Sequence, residues 1–514
     1  MSPRKDHEKA TVEHLDDAVR TYGSDEESKS AWQTLKSNPK IIALCFFANV
    51  GPLMYGFDNL ATSLCLSMPA FELQFGEMVN GSPVIAAWWQ SVWNAMGQIG
   101  TMLGAVAIGF IADRFGRRVC FAVSAIFSAA GIAILYICST PGIFLAGKTV
   151  NALSLGMAIS VGQTYVAEIT PVAMRGIALS GFTFSMNLGY MIAASVAFGR
   201  LTIMDASAYR VLFAAGWVWP GLMLLLFSLI PESPFHLVRQ GSPEKARKAL
   251  IRLSPKGTDV TTQLTAIEWL VEDERALANE AQSASFVELF NKDNIRRTRI
   301  IIYCNALNQM IGATFIGNGP YFLISAGLPS SSTGMLVEIG IAFAICSSII
   351  TWFLIPRTGN RTLMLWGTAG SALFFIIIGV SGCFYTKAAK WTTGIGLQLI
   401  WWSIGPCIGP AMSVAGQVSQ ARLRAKSQSL GFGFNYFFSA IWNVCVPYMF
   451  NTDEGNLGGK MGFIYLATAV IAWVAIFFDV PETKGRSFAE LDEMFQEGLP
   501  AREFKTWRRE VDAE

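Results

Sequence analysis

Charged residues are scarce in this chain. Only 15% of its 514 residues are Asp, Glu, Lys or Arg, against roughly 25% in an average soluble domain. Hydrophobic residues make up 52% of the sequence, and they form uninterrupted runs of about 20 residues, the length that crosses a bilayer. Water is therefore not the main solvent of this protein.

Histidine and paired cysteine are also scarce. The three histidines, His7, His14 and His236, lie outside the apolar runs, which excludes a histidine proton relay within the membrane. The nine cysteines include no CxxC pair and lie almost entirely within the runs, so they predict small core residues rather than metal or redox sites. We find no Ser-His-Asp set, metal-ligand cluster or phosphate-binding glycine loop outside the runs, and we expect no enzyme activity, no cofactor and no metal.

The first 40 residues are polar and of mixed charge, with no apolar stretch before a cleavage site, so they predict a tail rather than a signal peptide. A polar insertion at 231–299 contains two segments with amphipathic helical spacing, 243–253 and 267–277. The sequence predicts an all-α membrane protein with a cytosolic tail at 1–40, a helical bundle at 41–230, a cytosolic linker domain at 231–299, a second bundle at 300–480 and a tail at 481–514. The twelve predicted spans are 41–68, 84–111, 119–138, 143–167, 177–199, 211–230, 300–326, 334–355, 362–383, 391–415, 428–450 and 461–480.

Basic residues mark one side of the membrane. The short loops 112–118, 173–176, 356–361 and 420–426 fall on the same side and contain several Arg and Lys. By the positive-inside rule this side and both termini are cytosolic. The loop on the other side after the first span contains Asn80 in an Asn-Gly-Ser sequence, a candidate glycosylation acceptor.

Three loop motifs recur at nearly constant spacing. GFIADRFGRR around Gly116 returns as WFLIPRTGNR around Gly359, an offset of 243, and PESP at 231 returns as PETKG at 481, an offset of 250. Between them, AEITPVAMRG returns as AGQVSQARLR. Three motifs in the same order predict that six helices were duplicated into twelve, an architecture in which two bundles rock about a central site.

The loop around Gly116 is rich in charge, with one Asp and three Arg in ten residues. It could serve as a plain positive-inside anchor, or its charges could contact neighbouring helix ends and separate when the cytosolic side opens. We favour contacts, because an anchor needs neither the Asp nor the two glycines. The predicted cytosolic gate comprises Asp113, Arg114, Arg117, Arg118, Glu168, Arg175 and Glu232, with Arg357, Arg361, Arg422, Arg424 and Glu482 in the second half.

Taken in order, the motifs resemble the sugar porter branch of the major facilitator superfamily. They are G-x3-D-R-x-G-R-R at 109–118, YVAEITPVAMRG at 165–176, PESP at 231–234 and PETKGRS at 481–487. The seventh span and the segments 422–424 and 447–449 are most similar to fungal maltose and α-glucoside permeases. The resemblance implies twelve helices in two six-helix repeats, and a monomeric plasma-membrane carrier that moves sugars and protons by alternating access, without nucleic acid.

Two charged residues lie within the predicted spans. Asp58 is in the first and Lys148 in the fourth, and an ionised carboxylate at membrane depth costs several kcal/mol unless it is paired or protonated. The resemblance implies that Asp58 is a proton site, with Lys148 at a position where the family usually has Arg. A static ion pair is the alternative.

Sugars are bound by side chains that donate and accept hydrogen bonds among aromatic rings. Each candidate is equally suited to an interhelical hydrogen bond. The predicted substrate-binding residues are Thr183, Asn308, Gln309, Thr314, Asn318, Tyr321, Asn435, Trp442 and Asn443.

The chain also departs from the family. Thr183 stands in place of a glutamine, Met412 in place of an aromatic residue, and Pro356 and Asn360 in place of gate charges. These departures leave open a carrier of a polyol, organic acid or secondary metabolite, imported or exported, and a sugar sensor that transports nothing.

Overall fold

The computed structural model describes residues 38–507 apart from 80–81, 171, 255–259, 284–285, 326, 385, 421–422, 452–453, 485 and 487. The candidate acceptor Asn80 and the gate residue Arg422 lie outside the described residues, as do the side chains of Arg175 and Arg424.

The N-terminal half consists of six long helical spans, because apolar runs in a bilayer must satisfy every backbone group internally. Span one bends at Asn49, and a short helix and a two-stranded hairpin connect it to span two. The elements are Pro39–Ala48 and Val50–Leu66 (span one), Pro69–Phe75, strands Glu77–Val79 and Ser82–Val84, Ala87–Phe115 (two), Arg117–Ile137 (three), Pro141–Ile169 (four), Val172–Phe198 (five), and Ser207–Gly216 with Val218–Leu229 (six).

The C-terminal half follows a helical linker. Both linker segments expected from their amphipathic spacing are helical. The linker elements are Pro234–Arg239, Pro243–Leu253, Val260–Ser283 and the 3-10 turn Phe286–Phe290. The later elements are Ile295–Met310, Ala313–Gly317 and Gly319–Ser325 (span seven), Ser330–Thr358 (eight), Asn360–Ser381 (nine), Lys387–Val418 (ten), Arg424–Phe450 (eleven), the 3-10 turn Gly458–Lys460, Met461–Asp479 (twelve), Phe488–Gln496 and the 3-10 turn Glu503–Lys505.

Eleven helices among the described residues are long and apolar enough to cross a membrane. The remaining predicted span corresponds to Arg424–Phe450, a helix of 27 residues that is about 40 Å long at 1.5 Å per residue. It packs against spans two and seven, so part of its surface faces protein rather than lipid and tolerates polar residues.

The two halves have the same internal arrangement. Span four packs between spans two and three, and span ten packs in the same way between spans eight and nine. The halves meet at three places. Span two contacts span eleven, span five contacts span eight, and span one contacts the segment Gly319–Ser325 of span seven. The predicted duplication is therefore visible in the packing.

Span seven, which the sequence predicted at 300–326, is interrupted. Gly312 has a positive φ of 86° and separates the first segment from the second. A Cβ at this position would lie 2.6 Å from the Phe375 ring. Interrupted helices of this kind form binding sites in many transporters.

We call the side that holds the linker and the loops at Gly116 and Gly359 the linker face, and the other side the opposite face. Glu232 and His236 of the linker contact the Gly116 loop directly, and Glu482 contacts the Gly359 loop.

Candidate functional site

A buried ion pair joins span one to span four. Lys148 Nζ lies 2.5 Å from Asp58 Oδ2 and 2.6 Å from Thr62 Oγ1. Asp58 is 8% exposed and Lys148 5%. The Thr62 hydroxyl donates to the Asp58 carbonyl oxygen, one helical turn earlier, at 2.9 Å, and so presents its lone pairs to the ammonium group. The two charged residues singled out in the sequence are thus direct partners.

The second carboxylate oxygen has a neutral donor. Asn151 Nδ2 lies 2.7 Å from Asp58 Oδ1. Asn151 is three residues after Lys148, so one face of span four presents both donors. The sequence analysis did not select Asn151, although an amide one turn from a buried lysine was an available signal.

Asp58 lies between two small spaces. One is a polar cavity of about 30 Å³, room for one or two waters. The other is a pocket lined mainly by apolar side chains of spans one, three and six, with Asn151 on its wall. The polar cavity is lined by Tyr55, Asp58, Asn59, Thr62, Asn94, Gly97, Gln98, Thr101, Lys148, Ala152, Leu155 and Asn443.

Amide side chains of span two line the polar cavity, and the sequence analysis missed them. Asn94 Nδ2 is buried and has no hydrogen-bond partner among the described residues. Gln90, Asn94 and Gln98 recur every four residues, a spacing that places them on one helix face. This amide row within an apolar run was the signal that could have found them.

Most of the predicted substrate residues lie away from this cavity, and Asn443 is the one that lines it among those described. In span seven, Thr314 Oγ1 donates to Gln309 Oε1 at 2.8 Å and Asn318 Nδ2 donates to the Thr314 carbonyl oxygen at 2.9 Å. These side chains therefore brace the interrupted helix in this conformation.

Four other predicted substrate residues have mixed surroundings. The Trp442 ring stacks on Tyr465 with centroids 4.7 Å apart, within an aromatic column rather than at a cavity. Thr183, Asn308 and Asn435 are half-buried.

Four hydrogen bonds join the halves at the opposite face. Gln90 Nε2 donates to Tyr321 Oη at 3.1 Å and to Asn451 Oδ1 at 3.3 Å. Asn451 Nδ2 donates to the Ile85 carbonyl oxygen at 3.1 Å, and Ser91 Oγ donates to the Val444 carbonyl oxygen at 2.9 Å. Tyr321, which was predicted to contact substrate, is therefore one of the residues that join the two halves at this face.

At the linker face, Arg117 is the centre of a charged cluster within the N-terminal half. Its buried guanidinium makes a bidentate contact with Glu168, at 3.0 and 2.7 Å. Its Nη1 also lies 2.9 Å from the Ala112 carbonyl oxygen and 2.8 Å from His236 Nδ1. Glu232 accepts from the Arg117 backbone N–H at 2.8 Å. The predicted partners Glu168 and Glu232 therefore lie beside the loop.

The C-terminal half repeats part of this cluster. Glu482 accepts from the Asn360 backbone N–H at 2.9 Å, as Glu232 does from Arg117. Arg361 Nη2 donates to the Phe477 carbonyl oxygen at 2.8 Å, and Arg118 donates to the Phe227 carbonyl oxygen at the same distance. Asn360 stands where the first half has Arg117, so the bidentate Arg–Glu contact has no counterpart among the described residues of the second half.

The sequence matches a family of known proteins. The family model described as "Sugar (and other) transporter" matches residues 44–495. The chain belongs to this sugar transporter family.

Similar proteins agree with the family assignment. MFS transporter fmqE of Aspergillus fumigatus is 32% identical over 97% of this chain and 95% of its own length. Maltose permease MAL61 of Saccharomyces cerevisiae is 28% identical over 98% and 83%. The inward-open xylose transporter XylE from E. coli has a TM-score of 0.68 at 20% identity, covering 88% of this chain and 99% of that one.

These findings confirm the predicted major facilitator fold of twelve helices in two repeats. The sugar transporter family consists of integral membrane permeases rather than enzymes, which agrees with the sequence analysis.

The remaining gate residues of this transporter lie at the rim of the linker face. The Asp113 side chain is 80% exposed and 4.0 Å from Arg117. Arg114 is exposed, and its carbonyl oxygen accepts from Gln240 at 3.2 Å. Lys484 Nζ donates to the Arg357 carbonyl oxygen at 2.9 Å.

His236 is the linker-face residue that the sequence analysis left unassigned. Its side chain is buried against Arg117, and burial and the Arg117 cation lower its pKa. Since Arg117 donates to Nδ1, the ring must be neutral with its proton on Nε2.

Proposed function

We propose that this transporter is a proton-coupled sugar carrier, for α-glucosides such as maltose or for hexoses, working as a monomer by alternating access. We place it in the plasma membrane with the linker face and both termini in the cytosol, in keeping with the positive-inside rule. The observation that carries the proposal is the buried Asp58–Lys148 pair on the wall of a polar cavity that the N-terminal half lines together with Asn443 of the C-terminal half.

Protonation of Asp58 would change the chemistry of the cavity. A buried charge left without its partner costs about 3–5 kcal/mol, so a neutral Asp58 leaves the Lys148 ammonium in need of another acceptor. The adjacent cavity has room for one or two waters in this conformation, and a sugar hydroxyl that takes the place of such a water can supply that acceptor. Binding of a proton and binding of a sugar would therefore favour each other, which is the requirement for symport.

Alternating access is supported by the uneven closure of the two faces. Four hydrogen bonds join the halves at the opposite face. At the linker face, the Arg117 cluster joins the N-terminal half to the linker and the Glu482 cluster lies within the C-terminal half, and neither joins the two halves. This difference supports a carrier that opens at the linker face, and the predicted gate charges would form contacts between the halves when that side closes.

Apart from the Asp58–Lys148 ion pair, the polar side chains that line the cavity are uncharged, which supports a neutral, hydroxyl-rich substrate. Asn59, Asn94, Gln98 and Asn443 can each donate and accept hydrogen bonds, and the unpartnered Asn94 Nδ2 suits a ligand oxygen. Maltose permeases are among the similar proteins. Thr183 in place of the family's glutamine, and the similarity to fmqE, which is named only as an MFS transporter, favour a non-sugar polyol or acid as the second candidate.

Counterflow in vesicles of reconstituted full-length protein tests both parts of the proposal. Labelled maltose, glucose, a polyol and an organic acid would be compared with an imposed and a collapsed pH gradient. We expect Asp58→Asn to retain sugar counterflow and lose pH-driven accumulation, because a neutral amide cannot take up a proton. Asp479→Asn is the matched control, since Asp479 pairs with Arg299 at the end of span twelve.

Unchanged pH-driven accumulation by Asp58→Asn would remove the proton role. Signal from the polyol or the acid alone would replace the sugar assignment.

A further inference from the structure

Asn151 contacts the proposed proton site from the side away from Lys148. Its Nδ2 lies 2.7 Å from Asp58 Oδ1, whereas Lys148 Nζ lies 2.5 Å from Oδ2. The two oxygens of one carboxylate therefore have separate donors, one neutral and one charged. Among the described residues, the titratable groups that interact with Asp58 are Lys148 of span four and, in its own span, Tyr55 and Cys65.

The orientation of the Asn151 amide is fixed by Ser128, whose Oγ donates to Asn151 Oδ1 at 3.2 Å. Ser154 Oγ donates to the Asn151 backbone carbonyl oxygen at 2.6 Å and lies 3.5 Å from Oδ1. Both serines are completely buried. An amide oxygen only accepts and an amide nitrogen only donates, so the nitrogen of Asn151 must face Asp58.

This orientation decides where a proton can bind. A carboxylate oxygen that accepts from an amide N–H cannot also direct an O–H toward it without placing two hydrogens face to face. Lys148 also donates, to Oδ2, but its ammonium has Thr62 as a second acceptor and can give up that contact, whereas the Asn151 amide is held in place by Ser128. The proton therefore binds Oδ2, the oxygen that Lys148 contacts on the wall of the polar cavity.

We propose that Asn151 is a positioning residue that keeps Asp58 Oδ1 as a hydrogen-bond acceptor and directs the transported proton to Oδ2. The inference rests on the proposed function, since it requires that Asp58 takes up a proton. The proton adds to Oδ2 from the cavity and leaves from the same atom. As the proton adds, the hydrogen bond from Lys148 Nζ to Oδ2 breaks, and it forms again when the proton leaves. Lys148 keeps its hydrogen bond to Thr62 while Asp58 is neutral.

Infrared difference spectroscopy of the full-length protein in lipid vesicles tests this inference without a substrate. The C=O band of a protonated carboxyl group is followed as the pH is lowered, and subtraction of the Asp58→Asn spectrum assigns the band to Asp58. In Asn151→Ala we expect the pH midpoint of this band to rise by about one to two pH units, the effect of losing one hydrogen bond to a charged group. The C=O frequency should also rise, because the carbonyl oxygen no longer accepts a hydrogen bond.

Two further variants make the test independent of the folding of Asn151→Ala. Ser128→Ala keeps Asn151 but removes a hydroxyl that orients it, and should move the midpoint in the same direction by a smaller amount. Asn305→Ala is the control, because Asn305 is an equally buried asparagine whose side chain donates to the Ile301 carbonyl oxygen in span seven. It should leave the band unchanged.

The outcomes separate the two proposals. An Asp58 band that is the same in wild type, Asn151→Ala and Ser128→Ala would overturn the positioning role and leave the proton site intact. The absence of any Asp58-dependent band in the wild type would overturn the proton site itself, and the positioning role with it.

Discussion

Replacing Gly116 by alanine perturbs the tight turn between spans two and three. Gly116 has φ 89° and ψ 171°, a region of backbone conformation that is almost restricted to glycine. A Cβ at this position would lie 2.5 Å from Glu232 Oε2. That carboxylate accepts from the backbone N–H groups of Arg117 and Arg118 at 2.8 and 3.3 Å, so the new methyl group must displace a carboxylate that holds the turn.

The expected loss of stability comes from these two effects and is smaller than their sum. Backbone strain of this kind costs about 1–3 kcal/mol, and each hydrogen bond to a charged group contributes about 1.5–3 kcal/mol. Allowing for water that replaces part of the lost bonding at the linker face, we expect a loss of about 3 kcal/mol. With about 2–4 °C per kcal/mol for a unit the size of one half, the melting temperature should fall by about 6–12 °C.

The native cysteines report unfolding in this assay. A thiol-reactive fluorescent dye labels buried cysteines of the purified protein as it melts, and the described cysteines of this kind are Cys45, Cys65, Cys120, Cys138, Cys304 and Cys407.

Gly109→Ala is the control for this prediction. Gly109 lies in the same helix, and a Cβ there meets nothing within 4 Å, so alanine should be neutral or stabilising. Gly359→Ala should resemble Gly116→Ala, because its Cβ would clash with Glu482. If Gly116→Ala melts at the temperature of Gly109→Ala or above it, the turn does not depend on the glycine and the reasoning fails.

Two further predictions concern the two faces. The lowered pKa of His236 means that its contribution to stability is complete above the unfolded pKa of about 6.5 and is lost as the pH falls through the folded value. Between about pH 7 and 5, the melting temperature of the wild type should therefore fall more than that of His236→Gln. Glutamine can still accept a hydrogen bond from Arg117 but does not titrate in this range. Equal falls in the two proteins would contradict the prediction. At the opposite face, Gln90→Leu removes two hydrogen bonds between the halves, each contributing about 0.5–1.5 kcal/mol. In the Gln90→Leu protein, an impermeant maleimide should label an Asn318→Cys reporter about tenfold more than in the Gln74→Leu protein. Gln74→Leu is the control, because the contacts that it loses lie within one half. Equal labelling of the two proteins would show that Gln90 does not hold the halves together.

Local features of the sequence determined the architecture. The length of the apolar runs predicted the spans, because a bilayer fixes how many helical residues cross it. The offset between the loops at Gly116 and Gly359 predicted the duplication, and the packing of spans four and ten confirms it. These signals depend on neighbouring residues or on regular spacing, so a single sequence contains them.

The sequence could also single out Asp58 and Lys148, because a charge within an apolar run is conspicuous and needs a partner. It could not show that Asn151 shares that partner. Asn151 is separated from Asp58 by 93 positions, and an asparagine in a transmembrane helix is equally suited to many hydrogen bonds.

Only the tertiary structure decided which polar groups meet. It placed Asn94 on the wall of the cavity and His236 against Arg117, and it joined Gln309 and Thr314 to each other. Helix periodicity predicts which side chains share a face, whereas the packing of two halves in one conformation determines what that face contacts. The sequence alone therefore predicts the spans and their duplication, whereas the tertiary structure determines the partners of the buried polar groups.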